Sequence, residues 1–85
     1  MAAPKMVKLF TLSTCSHCKA AKQFLTDNKV PYEFIDVDLL AGAQRKAALE
    51  QIGKHNPAYS FPTIIIGNDV IIGFQAGEIK KALGI

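Results

Sequence analysis

The sequence predicts an α/β domain in which a four-stranded mixed sheet carries helices on both faces, in the order β-α-β-α-β-β-α. Three observations lead there. A strand, a helix and a second strand follow one another over residues 6–37, and this βαβ pattern implies parallel pairing with a right-handed crossover. The β-branched run Thr63-Ile64-Ile65-Ile66 and the run Val70-Ile71-Ile72 flank a tight turn at Gly67-Asn68-Asp69, which reads as a hairpin. Two further helical stretches, residues 41–52 and 77–83, can cover the sheet.

Taken in order, residues 6–12 form the first strand. Val7, Leu9 and Thr11 alternate with Lys8, Phe10 and Leu12, and both faces turn apolar toward the end, as in a central strand covered on two sides. Ser13 and Thr14 are good helix starters. The helix then runs from Cys15 or Ser16 to Asn28, with Cys18, Ala21, Phe24 and Leu25 on one stripe at helical spacing. Pro31 ends the connection to a second strand over residues 32–37. Asp38 is placed to cap the next turn. Residues 41–52 are rich in helix formers, with Gly53 as the stop. Residues 54–60 read as a loop with a turn signal at Asn56-Pro57. Both hairpin strands look apolar on two faces, so helices should cover both. Gly73 breaks the last strand, and the final helix turns Ile79, Ala82 and Leu83 inward.

At 85 residues, the chain has the length of one domain, with residues 1–5 as a short tail. Half the composition is apolar (49%), which argues against disorder. No apolar run approaches the roughly 20 residues needed to cross a bilayer. Met1-Ala2-Ala3-Pro4-Lys5 does not read as a secretory signal, so a cytoplasmic setting is expected. The net charge of +3 comes from scattered residues, with pairs only at Arg45-Lys46 and Lys80-Lys81. A nucleic-acid binder would show a clustered basic face. Neither nucleic acid nor membrane is an expected partner, and a monomer is expected.

The chemistry sits in Cys15-Ser16-His17-Cys18. The chain's two cysteines are three apart, a pattern that in a reducing compartment points to redox chemistry or metal rather than a disulfide scaffold. A zinc site wants four ligands. Only Cys15, Cys18, His17 and His55 offer themselves, and His17, between the cysteines, should point elsewhere. No metal site is expected. The placement after a strand and at a helix start has a physical purpose, because unpaired N–H groups and the helix dipole stabilise a thiolate there. Cys15, at the helix mouth, is the expected nucleophile. Cys18, on the apolar stripe one turn on, is the expected second thiol, close enough to bond to it. Ser16 and His17 tune the pair; the plain alternative for His17 is an exposed loop residue. Lys19 and Lys22 could add positive field near the helix start, but a solvated side chain is the expected reading for each.

The segment Phe10-Thr11-Leu12-Ser13-Thr14-Cys15-Ser16-His17-Cys18, the later Phe61-Pro62-Thr63 and Gly73 before the last helix resemble the glutaredoxin branch of the thioredoxin fold, over nearly the whole chain. The resemblance implies a thioredoxin-like, glutaredoxin-type fold and a dithiol electron carrier that reduces disulfide-containing proteins or glutathione-mixed disulfides. It implies a cis peptide at Pro62 and a backbone at Phe61 free to pair with an extended substrate or glutathione; a strand-edge proline is the plain alternative. Phe61, Pro62, Gly73, Phe74 and Gln75 are the substrate-binding candidates. Three positions depart from the family pattern. Leu12 stands where many members carry lysine, Ser16 where they carry proline, and Ile72-Gly73-Phe74-Gln75-Ala76 where they carry a second glycine and acidic or hydroxyl residues. The electron donor is therefore open between glutathione and thioredoxin reductase. No resident cofactor is expected, with glutathione as a co-substrate. Ser16 keeps one alternative alive, a [2Fe–2S] cluster held between two monomers with glutathione completing the ligands, since two thiolates cannot fill four iron positions.

Overall fold

The structure is a computed structural model that describes residues 6–85; the tail at residues 1–5 lies outside the described residues. The strands are β1 (Val7–Thr11), β2 (Glu33–Asp36), β3 (Thr63–Ile66) and β4 (Asp69–Ile72), and the helices α1 (Ser16–Asp27), α2 (Gly42–His55) and α3 (Ala76–Leu83). A short 3₁₀ turn over Val37–Leu39 links β2 to α2. The element order and the four-stranded mixed sheet are those the sequence implies. Strand order is β2-β1-β3-β4, with β1 parallel to β2 and antiparallel to β3, and β3 antiparallel to β4.

Side-chain alternation along β1 explains the layering, because successive residues of a strand face opposite sides. Val7 and Leu9 join Ile64, Ile66 and Ile71 under Ala21 and Leu25 of α1 and Ile79 of α3. Phe10 points the other way, into a second core with Val37, Ala48 and Ile52, the last two from α2. Helices therefore cover both faces, and β1, between two neighbours, is buried on both.

Four local expectations change. The second helix does not stop at Gly53 but runs on to His55. Gly53 keeps ordinary helical geometry, and its missing side chain leaves room for the Tyr59 ring, which a Cβ there would strike. The expected loop over residues 54–60 thus begins two residues later and is organised by a buried side chain, described below. β4 is covered on one face only: Ile71 is buried, whereas Val70 and Ile72 are 37% and 42% exposed. It is an edge strand of the sheet, and Val70 and Ile72 belong to neither core cluster. Finally, Asp38 caps nothing in its own turn; its carboxylate turns back to Ser13.

The topology gathers the site. Because β3 runs antiparallel to β1, with Phe10 opposite Thr63, the chain entering β3 lies at the C-terminal end of β1. Thr63 pairs in turn with Ile72. The segments Leu12–Cys15, Phe61–Pro62 and Gly73, distant in sequence, therefore share one end of the sheet.

Candidate functional site: a dithiol at the mouth of the first helix

Cys15 is the N-cap of α1. Its backbone is extended (φ −87°, ψ 121°) and its side chain accepts the N–H of Cys18, at 3.3 Å from N to Sγ. The expected starters Ser13 and Thr14 do not cap this helix; sulfur does the work that a hydroxyl or carboxylate oxygen usually does. Burial pushes the Cys15 thiol up. It is outweighed by the Cys18 thiol and the backbone N–H groups of Cys18 and His17, so the thiol is held below its ordinary value. The part of His17 that bears on Cys15 is thus its main chain; the side chain is exposed, as is that of Ser16.

Cys18 is fully buried. Its sulfur accepts the N–H of Leu12 at 3.5 Å. Burial first, and the hydrogen bond to Cys15 second, push this thiol up to about 12. Both cysteines are free thiols. The two sulfurs have the same chemistry in the chain and opposite tendencies in the fold: one partly exposed and held below its ordinary value, the other buried and pushed above it.

The loop between β1 and α1 is anchored from β2 and the turn after it. Ser13 donates its N–H to Asp38 Oδ1 at 2.9 Å and its hydroxyl to Asp38 Oδ2 at 2.5 Å. These bonds hold the Asp38 carboxyl below the usual carboxylate range. Two residues back, the parallel register sets Thr11 opposite Asp36, and the Thr11 hydroxyl donates to Asp36 Oδ1 at 2.5 Å. Lys22 donates to the same oxygen at 3.1 Å. Lys22 is therefore not a solvated lysine. Its side chain is 20% exposed, and its ammonium lies 3.9 Å from the Phe34 ring centroid. The sequence reading missed Thr11, Asp36 and Asp38. The available signal was two acids two apart at the end of the strand that pairs with the cysteine-bearing loop.

On the facing segment, the Phe61–Pro62 peptide is cis. Pro62 is buried, and its carbonyl accepts the N–H of Gly73 at 2.8 Å, which ties two of the substrate-binding candidates together. The β3 ladder begins at Thr63, leaving Phe61 outside it. Asn56, 1% exposed, organises this approach. Its amide donates to the Ser60 carbonyl, the Ser60 hydroxyl and Thr63 Oγ1 at 3.0, 3.0 and 3.1 Å, and its carbonyl oxygen accepts the N–H of Ala58. Gly73 has φ 83°, a region that favours glycine. Phe74 packs edge-on against Phe24, centroids 5.7 Å apart. Gln75 stays exposed and donates to the Ile72 carbonyl at 2.8 Å. Among the described residues no cluster of three or more His, Cys, Asp or Glu side chains could hold a metal ion, and no helix is long and apolar enough to cross a membrane.

A parallel–antiparallel sheet between helices, with a dithiol at the mouth of the first helix and a cis-proline at the same end of the sheet, defines a redox protein of the thioredoxin fold. The glutaredoxin family model matches residues 7–71, and the chain belongs to that family. It is similar to the crystal structure of methanoredoxin from Methanosarcina acetivorans, at 40% identity and a TM-score of 0.89, over 94% of this chain and 85% of that one. It is also similar to a glutaredoxin from Methanosarcina mazei Go1, at 38% identity and a TM-score of 0.89, over 99% and 85% of the two chains. An uncharacterised glutaredoxin-like 8.6 kDa protein encoded in a rubredoxin operon of Clostridium pasteurianum is 27% identical, over 92% of this chain and 97% of its own.

Proposed function

We propose that the protein is a dithiol thiol–disulfide oxidoreductase that reduces disulfides of proteins or glutathione-mixed disulfides. The observation that carries this reading is the division of labour at the helix mouth. Cys15 is accessible and held below the ordinary thiol value, while Cys18 is buried and stays protonated until needed. The Cys15 thiolate attacks a substrate disulfide RS–SR′, forming Cys15–S–S–R and releasing R′S⁻, which takes up a proton. Cys18 then loses its proton to solvent and attacks Cys15 Sγ. The Cys15–Cys18 disulfide forms, and RS⁻ leaves and is protonated. The substrate gains two electrons and the protein loses two. An external thiol or a flavin-dependent reductase restores the dithiol. Such a cycle suits the cytoplasm, where thiols are kept reduced.

The binding side is the edge formed by Phe61, Pro62 and Gly73, with the Phe61 main chain as the strand on which an extended substrate aligns. Phe74, committed to Phe24, and Gln75, committed to the Ile72 carbonyl, contribute shape more than charge. With the usual charged holders for a γ-glutamyl group mostly missing from residues 72–76, the site favours a protein or thioredoxin-reductase partner over tight glutathione binding. The test is a paired assay of one disulfide substrate, coupled once to glutathione with its reductase and once to thioredoxin reductase. Turnover should appear in at least one coupling and vanish in Cys15→Ser. Equal rates for wild type and Cys15→Ser would refute the oxidoreductase reading.

A cluster-carrying role has Ser16 in its favour but fits one chain poorly. Cys18 is buried and engaged by Leu12 and Cys15, so each chain presents one ligand. A dimer and outside thiols would have to supply the others. Anaerobic reconstitution with iron, sulfide and glutathione tests it: visible absorption with dimerisation would support the cluster reading, and a colourless monomer would count against it.

A further inference from the structure

The last turn of α2 breaks a local rule, and so does the loop that follows it. Gly53 sits inside a helix otherwise rich in alanine, leucine and glutamine, where glycine is a poor choice. Tyr59 holds a left-handed backbone, φ 53°, which a bulky residue rarely adopts. The two exceptions touch. A Cβ on Gly53 would strike the Tyr59 hydroxyl and come within 2.9 Å of its Cζ. Tyr59 N–H also donates to the Asn56 carbonyl at 2.9 Å, which folds the loop back onto the helix end. Two residues on, Phe61 packs its side chain against the core cluster that contains Ala48 and Ile52, while its main chain lies outside the β3 ladder. Residues 48–53 of α2 therefore carry both the turn at Tyr59 and the side chain of Phe61. The Tyr59 ring adds little to the core, since the residue is 47% exposed. Paired local conflicts of this kind persist where the surrounding structure holds a functional segment in place.

We propose that Gly53 and Tyr59 are a positioning pair for extended polypeptide substrates. The ring, seated where α2 lacks a side chain, fixes the left-handed turn and through it the direction of the Ser60–Phe61 main chain on which the substrate aligns. The proposal rests on the oxidoreductase reading above. Neither residue enters the thiol chemistry, and neither is among the groups that act on Cys15 or Cys18. A polypeptide disulfide can pair with the Phe61 main chain. A small disulfide without peptide groups has nothing to align on it, so the pair should matter for the first kind of substrate alone.

Two mixed disulfides with one leaving group test this. One joins thionitrobenzoate to the cysteine of a short peptide, the other joins it to mercaptoethanol. In each, Cys15 Sγ bonds to the alkyl sulfur, the S–S bond breaks and the coloured thiolate leaves. Gly53→Ala should fold, because alanine suits a helix and the half-exposed ring can swing outward. It should reduce the peptide disulfide about tenfold more slowly, the loss of a main-chain bond or two, and the mercaptoethanol disulfide at the wild-type rate. Tyr59→Gly should do the same, since glycine can adopt the left-handed turn but leaves it unheld. Tyr59→Phe, which keeps the ring, should retain most of the peptide rate. The double variant Gly53→Ala with Tyr59→Gly should be no slower than either alone, as for two changes that break one contact. Single variants that keep the wild-type peptide rate, or slow both substrates alike, overturn the positioning role, and so do losses that multiply in the double variant. Should Gly53→Ala fail to fold, Tyr59→Gly and Tyr59→Phe decide on the same criteria. A wild-type protein that releases colour from neither disulfide faster than Cys15→Ser refutes the oxidoreductase reading instead.

Discussion

Cys15 occupies a position where helix geometry and redox chemistry ask for the same thing. A helix start needs an acceptor for an orphan N–H, and a nucleophilic thiol needs donors that favour its charged form. The bond from Cys18 N–H satisfies both. Alkylation of Cys15 by iodoacetamide should therefore follow a titration with a midpoint below the ordinary 9.0. Cys18→Ala removes the thiol donor while keeping the backbone donors, so the midpoint should rise part of the way back. A midpoint that does not move would show that the Cys18 thiol contributes nothing. Asn56 carries a different kind of weight. Its amide and carbonyl are both spent on the segment leading to Phe61 and Pro62. Asn56→Ala leaves buried partners unpaired and should cost about 1–3 kcal/mol in urea unfolding. The same variant should weaken substrate disulfide reduction while sparing Cys15 alkylation, since the loop it organises is on the facing segment.

Element boundaries show where local sequence informs and where it falls short. Helix α1 ends in a Schellman motif: Val30 N–H donates to the Leu25 carbonyl at 2.9 Å and Lys29 N–H to that of Thr26 at 3.0 Å. Val30 also packs against the core cluster to which Leu25 belongs, in keeping with the hydrophobic contact this motif favours. The left-handed residue is Lys29, φ 57°, where a glycine would have announced the stop. Lys29 is exposed, so Lys29→Gly should relieve its backbone at no packing cost and raise stability by about 0.5–1 kcal/mol, less what glycine adds to unfolded-chain entropy. Loss of stability in urea would contradict this account. Gly53 teaches the converse, a glycine that stops nothing because it is there to admit the Tyr59 ring. The fold was legible because the β-branched runs and the CxxC helix are local patterns with strong periodicity. The cysteines of the candidate site were legible for the same reason. Thr11, Lys22, Asp36 and Asp38 were not, because what joins them is the β1–β2 register, a non-local fact. Asp38→Asn tests that register-borne anchor. It weakens the hold on Ser13 without altering size, so amide exchange over residues 12–15 should accelerate while α2 stays protected. Unchanged exchange there would show that the loop holds its place without Asp38.

At the scale of the whole molecule the two thiols couple stability to pH in opposite senses. Between the lowered value of Cys15 and the ordinary 9.0, the folded protein has released a proton that the unfolded chain still holds. Raising the pH through that window therefore stabilises the fold. Between 9.0 and about 12 the unfolded chain has lost the Cys18 proton while the folded protein keeps it, so further rise destabilises, by several kcal/mol at most over so wide a window. Asp38 adds an acid limb, because its carboxyl is lowered by Ser13 and that contribution is lost as pH falls through its folded value. Stability of the oxidised protein, with Cys15 and Cys18 joined, retains the Asp38 limb but neither thiol titration. The difference between reduced and oxidised stability, measured by denaturant unfolding across pH 6–11 with a thiol-specific reductant present or absent, thus isolates the dithiol. It should climb toward pH 9 and fall beyond it. By the thermodynamic cycle the same curve gives the potential of the folded couple relative to that of the unfolded chain, so the fold's own bias toward the dithiol is greatest near its maximum. A difference flat across this range would mean that the contrast between an acidic Cys15 and a protonated Cys18 does not exist in solution.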